Sequence, residues 1–279
     1  MEYIELKCEF SKEDIEISEQ IIAILGEHGF ESFVEEDGYV LAYIPASNFN
    51  EENLKQELKL IHPVKSYAWK VIADQNWNAV WESNFQPVTI DNRCYIRAPF
   101  HPANPNVEFE LLIEPKMSFG TAHHETTSLM IQYLLDIDMQ HLSVLDMGCG
   151  TGVLAILSAL KGSSDVTAID NDEWAYQNSI KNIQRNNTPN INVYHGDASL
   201  LKNQKFDVII ANINRNILLN DIPDYVKCLK NQGILLLSGF YETDLDAITN
   251  CCNSYGLTYQ SHKVKNNWTA ACYINKTVQ

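Results

Sequence analysis

Residues 143–156 read Ser-Val-Leu-Asp-Met-Gly-Cys-Gly-Thr-Gly-Val-Leu-Ala-Ile, and no other stretch constrains the fold as strongly. Val144 and Leu145 end a buried strand. Gly148, Gly150 and Gly152 then allow a tight turn and a close backbone approach to a ligand that a Cβ would fend off. Val153, Leu154, Ile156 and Leu157 open a helix whose first N–H groups face the turn. A strand, a glycine turn and a helix in that order place a ligand at the carboxyl edge of a parallel sheet.

The spacing is G-x-G-x-G. It is neither the G-x-G-x-x-G that presents a helix N-terminus to a pyrophosphate nor the Gly-Lys-Ser/Thr phosphate loop. Three more apolar runs end in polar residues. Val166 to Ile169 leads to Asp170, 22 residues after Gly148, where an acid accepts hydrogen bonds from both hydroxyls of a ribose. Ile191 to Tyr194 leads to His195-Gly196-Asp197, with Asp197 placed to meet an adenine. Phe206 to Ala211 leads to Asn212. Four polar strand tips without a phosphate-specific cation fit S-adenosylmethionine better than a dinucleotide. The alternatives are a Rossmann-type dehydrogenase and a decayed site.

With 279 residues, 45% of them apolar, the chain can bury a sizeable core in one or two domains. It has no run of 18 apolar residues, and its start is strand-like and acidic rather than basic-then-apolar. No membrane association is expected. The seven cysteines form no Cys-x-x-Cys pair, which reads as reduced thiols in a cytosol. Cys149 reads as a small tolerated side chain rather than a nucleophile. Net charge is −16, and residues 1–60 hold 15 Asp/Glu against 4 Lys, a net of −11. Such a field repels phosphate backbones and attracts basic partners; a surface that merely keeps the protein soluble is the plainer reading.

Tyr3 to Glu9 alternates as a strand does. Ser11, with Asp14, caps a helix that buries Ile15, Ile21, Ile22 and Leu25. Asp37-Gly38 turns a hairpin, Glu51 to Ile61 is helical, and Ser66 to Ala73 is a strand. Strand, helix, hairpin, helix, strand make a small ferredoxin-like α+β unit over residues 1–73. Residues 74–105 read as a connector, with Trp77 and Trp81 on one stripe of a short helix, a strand from Arg93 to Ala98, and three prolines from Pro99 to Pro105.

Residues 106–279 alternate strands and helices. Thr126 and Thr127 cap a helix or present hydroxyls to the cofactor. The adjacent His123 and His124 are a poor metal pair, and no metal is expected. Pro223 starts or bends a helix through Val226 and Leu229. Leu257 to Val264 and Trp268 to Ile274 flank Asn266-Asn267 as a closing hairpin. The fold class is α/β, a doubly wound sheet with one antiparallel edge, preceded by the ferredoxin-like domain.

Phe119-Gly120-Thr121-Ala122-His123-His124-Glu125-Thr126-Thr127 resembles the F-G-T-G-x-H-x-T-T loop of the bacterial methyltransferases that trimethylate ribosomal protein L11. These are class I S-adenosylmethionine-dependent protein N-methyltransferases, and the resemblance covers essentially the whole chain. Two residues depart from the pattern: Ala122 stands where the family has glycine, and Glu125 where it has proline. The resemblance implies that Thr127, Gly148, Asp170 and Asn212 hold the cofactor, joined on the residue reading by Gly150 and Asp197. It implies in-line attack of a lysine or N-terminal amine on the sulfonium methyl. Asn212 would orient the amine, and His124 would accept a proton or serve structurally in the lid.

The expected partner is a basic ribosomal protein, recognised by residues 1–73 in the cytoplasm. Asn212-Ile213-Asn214-Arg215 lacks both prolines and the aromatic of the Asn-Pro-Pro-Tyr signature of base methyltransferases, so no direct nucleic-acid substrate is expected. The rivals are a methyltransferase for another protein or a small amine, and a cofactor-binding module without turnover.

Overall fold

The structure, a computed structural model, describes residues 2–11, 15–36, 38–58, 64–72, 86–114, 123–201 and 204–276. The helix cap at Ser11–Asp14, Asp37 of the first hairpin turn, the Trp77/Trp81 stripe and Phe119–Ala122 fall wholly or partly outside them. The chain divides into two compact units, Met1–Phe85 and Gln86–Gln279.

In the first unit β1 (Tyr3–Glu9), α1 (Ile15–Glu27), β2 (Ser32–Glu36), β3 (Tyr39–Pro45), α2 (Glu51–Leu58) and β4 (Ser66–Ile72) follow one another. The sheet runs β2-β3-β1-β4, antiparallel throughout, which is the ferredoxin-like order. Alternation buries Ile4, Leu6 and Cys8 of β1 with Val40, Ala42 and Ile44 of β3. Ile17, Ile21 and Leu25 of α1, four residues apart, cover them with Leu54 and Leu58 of α2. Ile22, expected on the same face, is only half-buried.

The second unit opens with β5 (Val88–Ile90), β6 (Cys94–Arg97) and β7 (Phe109–Leu112), which form a three-stranded sheet. The segment read as a connector thus supplies two strands of that sheet. Next come α3 (Glu125–Asp136), β8 (Ser143–Met147), α4 (Val153–Leu160), β9 (Asp165–Asp170), α5 (Glu173–Arg185) and β10 (Ile191–His195). The chain continues through β11 (Phe206–Asn212), α6 (Arg215–Cys228), β12 (Leu229–Tyr241), α7 (Leu245–Ser254), β13 (Leu257–Lys265) and β14 (Trp268–Asn275).

The central sheet runs β10-β9-β8-β11-β12-β14-β13, parallel from β10 to β12, with β14 antiparallel to both its neighbours. β10 and β13 are its two edges. One face is covered by α3 and α4 together with Ile183 of α5, the other by α6 and α7. Asn266 (φ +49°) and Asn267 (φ +66°) turn β13 into β14, since asparagine tolerates the left-handed region that a two-residue hairpin turn requires.

α6 begins at Arg215, eight residues before Pro223, so Pro223 neither starts nor ends it. The start is set by Asn214, whose side chain accepts the Asn216 N–H at 2.9 Å. Leu218, Ile222 and Tyr225 supply the buried face. Proline at 223 has no N–H for the Leu219 carbonyl, and the Cys251 thiol of α7 takes that carbonyl at 3.8 Å. Among the described residues, no helix is long and apolar enough to cross a membrane.

Candidate functional site

The sheet reverses direction of growth between β8 and β11, the position where open α/β sheets bind ligands beyond their strand ends. Gly148, at the tip of β8, has φ +69° and donates its N–H to the Ile169 carbonyl at 2.8 Å. Gly150 (φ +55°) and Gly152 (φ +79°) complete the turn, and Gly152 caps α4 with no side chain in the way. Asn182 of α5 fixes the loop from behind, donating to the Thr151 carbonyl at 2.9 Å. The loop is therefore anchored from α5, and Gly152 puts no side chain over the start of the helix.

Asp170 ends β9 and is 8% exposed. One carboxylate oxygen accepts the Gly150 N–H at 2.8 Å and the other the Asp172 N–H at 3.0 Å. Each oxygen keeps a second lone pair for hydroxyl donors. Asp197 is exposed beyond β10; its Oδ1 accepts the Ser199 N–H at 2.9 Å, and Ser199 holds the carboxyl below the usual range. His195 turns away toward α5. Its Nδ1 lies 3.1 Å from Glu173, its Nε2 is 3.1 Å from the Asn171 carbonyl, and its ring stacks on Tyr176 at 5.7 Å.

Asn212 ends β11, and its Nδ2 donates to Oγ1 of the buried Thr127 at 3.3 Å. That bond fixes the carboxamide with Oδ1 as its remaining acceptor. Thr127 is in the first turn of α3, but neither it nor Thr126 is the cap. The helix starts at Glu125, so His124 occupies that place: its Nδ1 accepts the Thr126 N–H at 3.3 Å and lies 2.8 Å from Thr126 Oγ1. Glu125, at the first helical position, accepts from Asn266 Nδ2 at 2.9 Å, which ties α3 to the β13–β14 turn.

Three features escaped the sequence reading. Asp146 is fully buried under the glycine loop and accepts the Ala155 N–H at 3.0 Å. Burial pushes its pKa up to about 7, against the pull of that N–H and with a push from Asp170. Ile213, next to Asn212, is flanked by two glycines: a Cβ on Gly148 would overlap its side chain, and one on Gly239 its carbonyl oxygen. Gly239 (φ +96°) sits where the β12–β14 register shifts between Ser238 and Phe240, so a glycine inside an apolar strand was the available signal. Finally, Tyr241, Trp268 and His124 form an aromatic row, with centroids 4.2 Å and 4.7 Å apart.

The seven cysteines are free thiols. Cys149 is buried within the loop, and burial together with Asp146 and Asp170 pushes its thiol well up, which makes it a poor nucleophile. Among the described residues no group of three His, Cys, Asp or Glu side chains could hold a metal.

The cradle fits S-adenosylmethionine. Left-handed glycines leave room against the strand tips, and Asp170 offers lone pairs for a ribose.

Residues 5–276 match the family model described as ribosomal protein L11 methyltransferase (PrmA). The chain is 49% identical over 264 residues to a ribosomal protein L11 methyltransferase from Bacteroides fragilis, covering 92% of this chain and 94% of that one. It is 47% identical over 282 residues to a protein of the same name from Phocaeicola vulgatus, covering 99% and 100%. A crystal structure of ribosomal protein L11 methylase from Lactobacillus delbrueckii subsp. bulgaricus superposes with a TM-score of 0.63 at 24% identity, over 69% of this chain and 100% of that one. That likeness bears on the fold. On the family model and these identities, the chain belongs to the ribosomal protein L11 methyltransferase family.

Proposed function

We propose that this chain methylates amino groups of ribosomal protein L11, on lysine side chains, the N-terminal amine or both, with S-adenosylmethionine as donor. The observation that carries the reading is the pairing of Asn212 with Thr127 beside the glycine loop. When bound, the cofactor supplies an electrophilic methyl that the amine nitrogen takes as the carbon–sulfur bond breaks and its electron pair stays on sulfur.

In this reading Thr127, Gly148, Gly150, Asp170, Asp197 and Asn212 hold the cofactor: the glycines through backbone and shape, Asp170 at the ribose, Asp197 at the adenine, and the bonded pair of Thr127 and Asn212 at the strand tip. Asn212 accepts a hydrogen bond from the substrate amine through Oδ1 and aims its lone pair, a positioning role. A lysine near pKa 10.4 must first lose its proton at a cost of about 4–5 kcal/mol at pH 7. Desolvation beside a positive charge lowers that cost, and the proton leaves to solvent. His124, its Nδ1 engaged by Thr126, holds the start of α3 in place.

We assign substrate recognition to residues 1–73, on the net charge of −11 over residues 1–60, which suits a basic protein better than a nucleic acid. The second compact unit, Gln86–Gln279, then serves as the methyltransferase domain, acting in the cytoplasm. The test is transfer of labelled methyl to purified L11, followed by mass spectrometry, with Asn212→Ala as control. Mass gains in methyl steps, lost in the control, are expected. Tight cofactor binding with no transfer to L11 would move the substrate elsewhere. Removing residues 1–72 should abolish transfer and leave cofactor binding intact.

A further inference from the structure

Tyr241 is a large aromatic side chain, 49% exposed, in a position that the core does not require. It ends β12, the strand beside β11, and Asn212 is in register with Ser238 of β12. The register shift between Ser238 and Phe240 lets Tyr241 pair with Trp268, two residues of β14 beyond the Ala270 that pairs with Ser238, so Tyr241 stands about 7 Å beyond the level of Asn212 at 3.2–3.4 Å per residue. One side of its ring rests on Trp268, at 4.2 Å and 33°. Trp268 is itself half-buried and meets His124 edge-on at 4.7 Å. His124 caps the helix that carries Thr127, the partner of Asn212.

The row thus leads from an exposed ring to the cap of the helix whose Thr127 holds the Asn212 carboxamide. The surroundings favour a cation: with Arg215 and Asp244 paired at 3.0 Å, Glu125 and Glu242 at the ends of these elements stand against Lys265.

We propose that Tyr241 and Trp268 form the mouth of the amine-binding site. Tyr241 is its specificity-determining residue: its exposed ring face packs on the segment carrying the target lysine and takes a cationic side chain from it. The inference rests on the proposed amine methylation and deepens it by naming the residues that grip the substrate. A cation over an aromatic face is attracted by the ring quadrupole, most strongly where water is partly excluded.

Two measurements on the full-length protein test it. In steady-state transfer to L11, Tyr241→Ala should raise KM for L11 roughly tenfold, with kcat within twofold and cofactor affinity unchanged. Tyr241→Phe should behave as wild type. An unchanged KM in Tyr241→Ala, or an equal loss of cofactor affinity, would overturn the proposal. Separately, Nα-acetyl-lysine methylamide should shift the indole N–H resonance of Trp268, assigned by its loss in Trp268→Phe. The norleucine counterpart should shift it far less, and Tyr241→Ala should abolish the effect. A lysine-specific shift without any transfer to L11 would keep the mouth and discard the L11 reading. Transfer to L11 with no lysine-specific shift would do the reverse.

Discussion

The Asn212 carboxamide gives its Nδ2 to Thr127 Oγ1 at 3.3 Å, so one buried hydroxyl determines which end of the amide a substrate meets. Thr127→Val removes that acceptor and lets the amide rotate, while Thr127→Ser keeps it. The valine variant should lose about tenfold in kcat, the worth of roughly one hydrogen bond, with a smaller loss of cofactor affinity. The serine variant should stay close to wild type. Calorimetric titration with S-adenosylmethionine beside a transfer assay decides. A larger loss in binding than in turnover would assign Thr127 to the cofactor itself.

Asp170 accepts both the Gly150 N–H of the glycine loop and the Asp172 N–H at the start of α5. Asp170→Ala should weaken cofactor binding by at least about thirtyfold, roughly 2 kcal/mol for a lost charge-assisted bond. Asp170→Asn, which keeps an acceptor, should lose less. Equal losses in the two variants would contradict the role of acceptor geometry.

Asp146 makes stability depend on pH. Its folded pKa, about 7, lies above the ordinary 3.8, so between those values the folded state binds the proton that the unfolded chain has lost. Its contribution to stability therefore falls as pH rises from about 4 to about 7, and the penalty is complete above that. At roughly 1.4 kcal/mol per unit, the upper bound is about 4 kcal/mol. Asp146→Asn keeps an acceptor for the Ala155 N–H and has nothing to ionise. Its Tm advantage over wild type, both without cofactor, should grow from pH 5 to pH 8. Parallel curves would remove Asp146 from the account.

Gly148 and Gly239 should respond differently to an added methyl group. The Gly148 Cβ would meet the Ile213 side chain, whereas the Gly239 Cβ would meet the Ile213 backbone. Ile213→Ala should thus rescue much of the activity lost in Gly148→Ala, leaving a left-handed strain of about 1 kcal/mol. It should not rescue Gly239→Ala. Transfer rates of the two double variants against their single parents provide the check, and equal rescue would count against a backbone clash at Gly239.

What the sequence disclosed was local. The glycine loop, the acid ending β9 and the Asn266-Asn267 turn announce themselves because the residues that shape each of them are near neighbours in the chain. The start of α6 was harder to read, since Pro223 draws attention to itself while Asn214 looks like one asparagine among several. The missing N–H of Pro223 is compensated by a thiol 28 residues on, which no local pattern reveals. His124 took the cap expected of Thr126 or Thr127 because the helix begins one residue before the threonines. The row of His124, Tyr241 and Trp268 was invisible, as it draws on the ends of three elements far apart in the chain.

The two outer strands of the central sheet bear on how this protein behaves at high concentration. An unpaired strand edge is a template for a neighbouring chain. β10 offers only five residues, Ile191–His195. The longer β13 shifts register between Tyr259 and Ser261 and carries Lys263 and Lys265. A short edge on one side and a bulged, lysine-bearing edge on the other give a sheet that is difficult to extend, so crowding should not drive these molecules to pair through it.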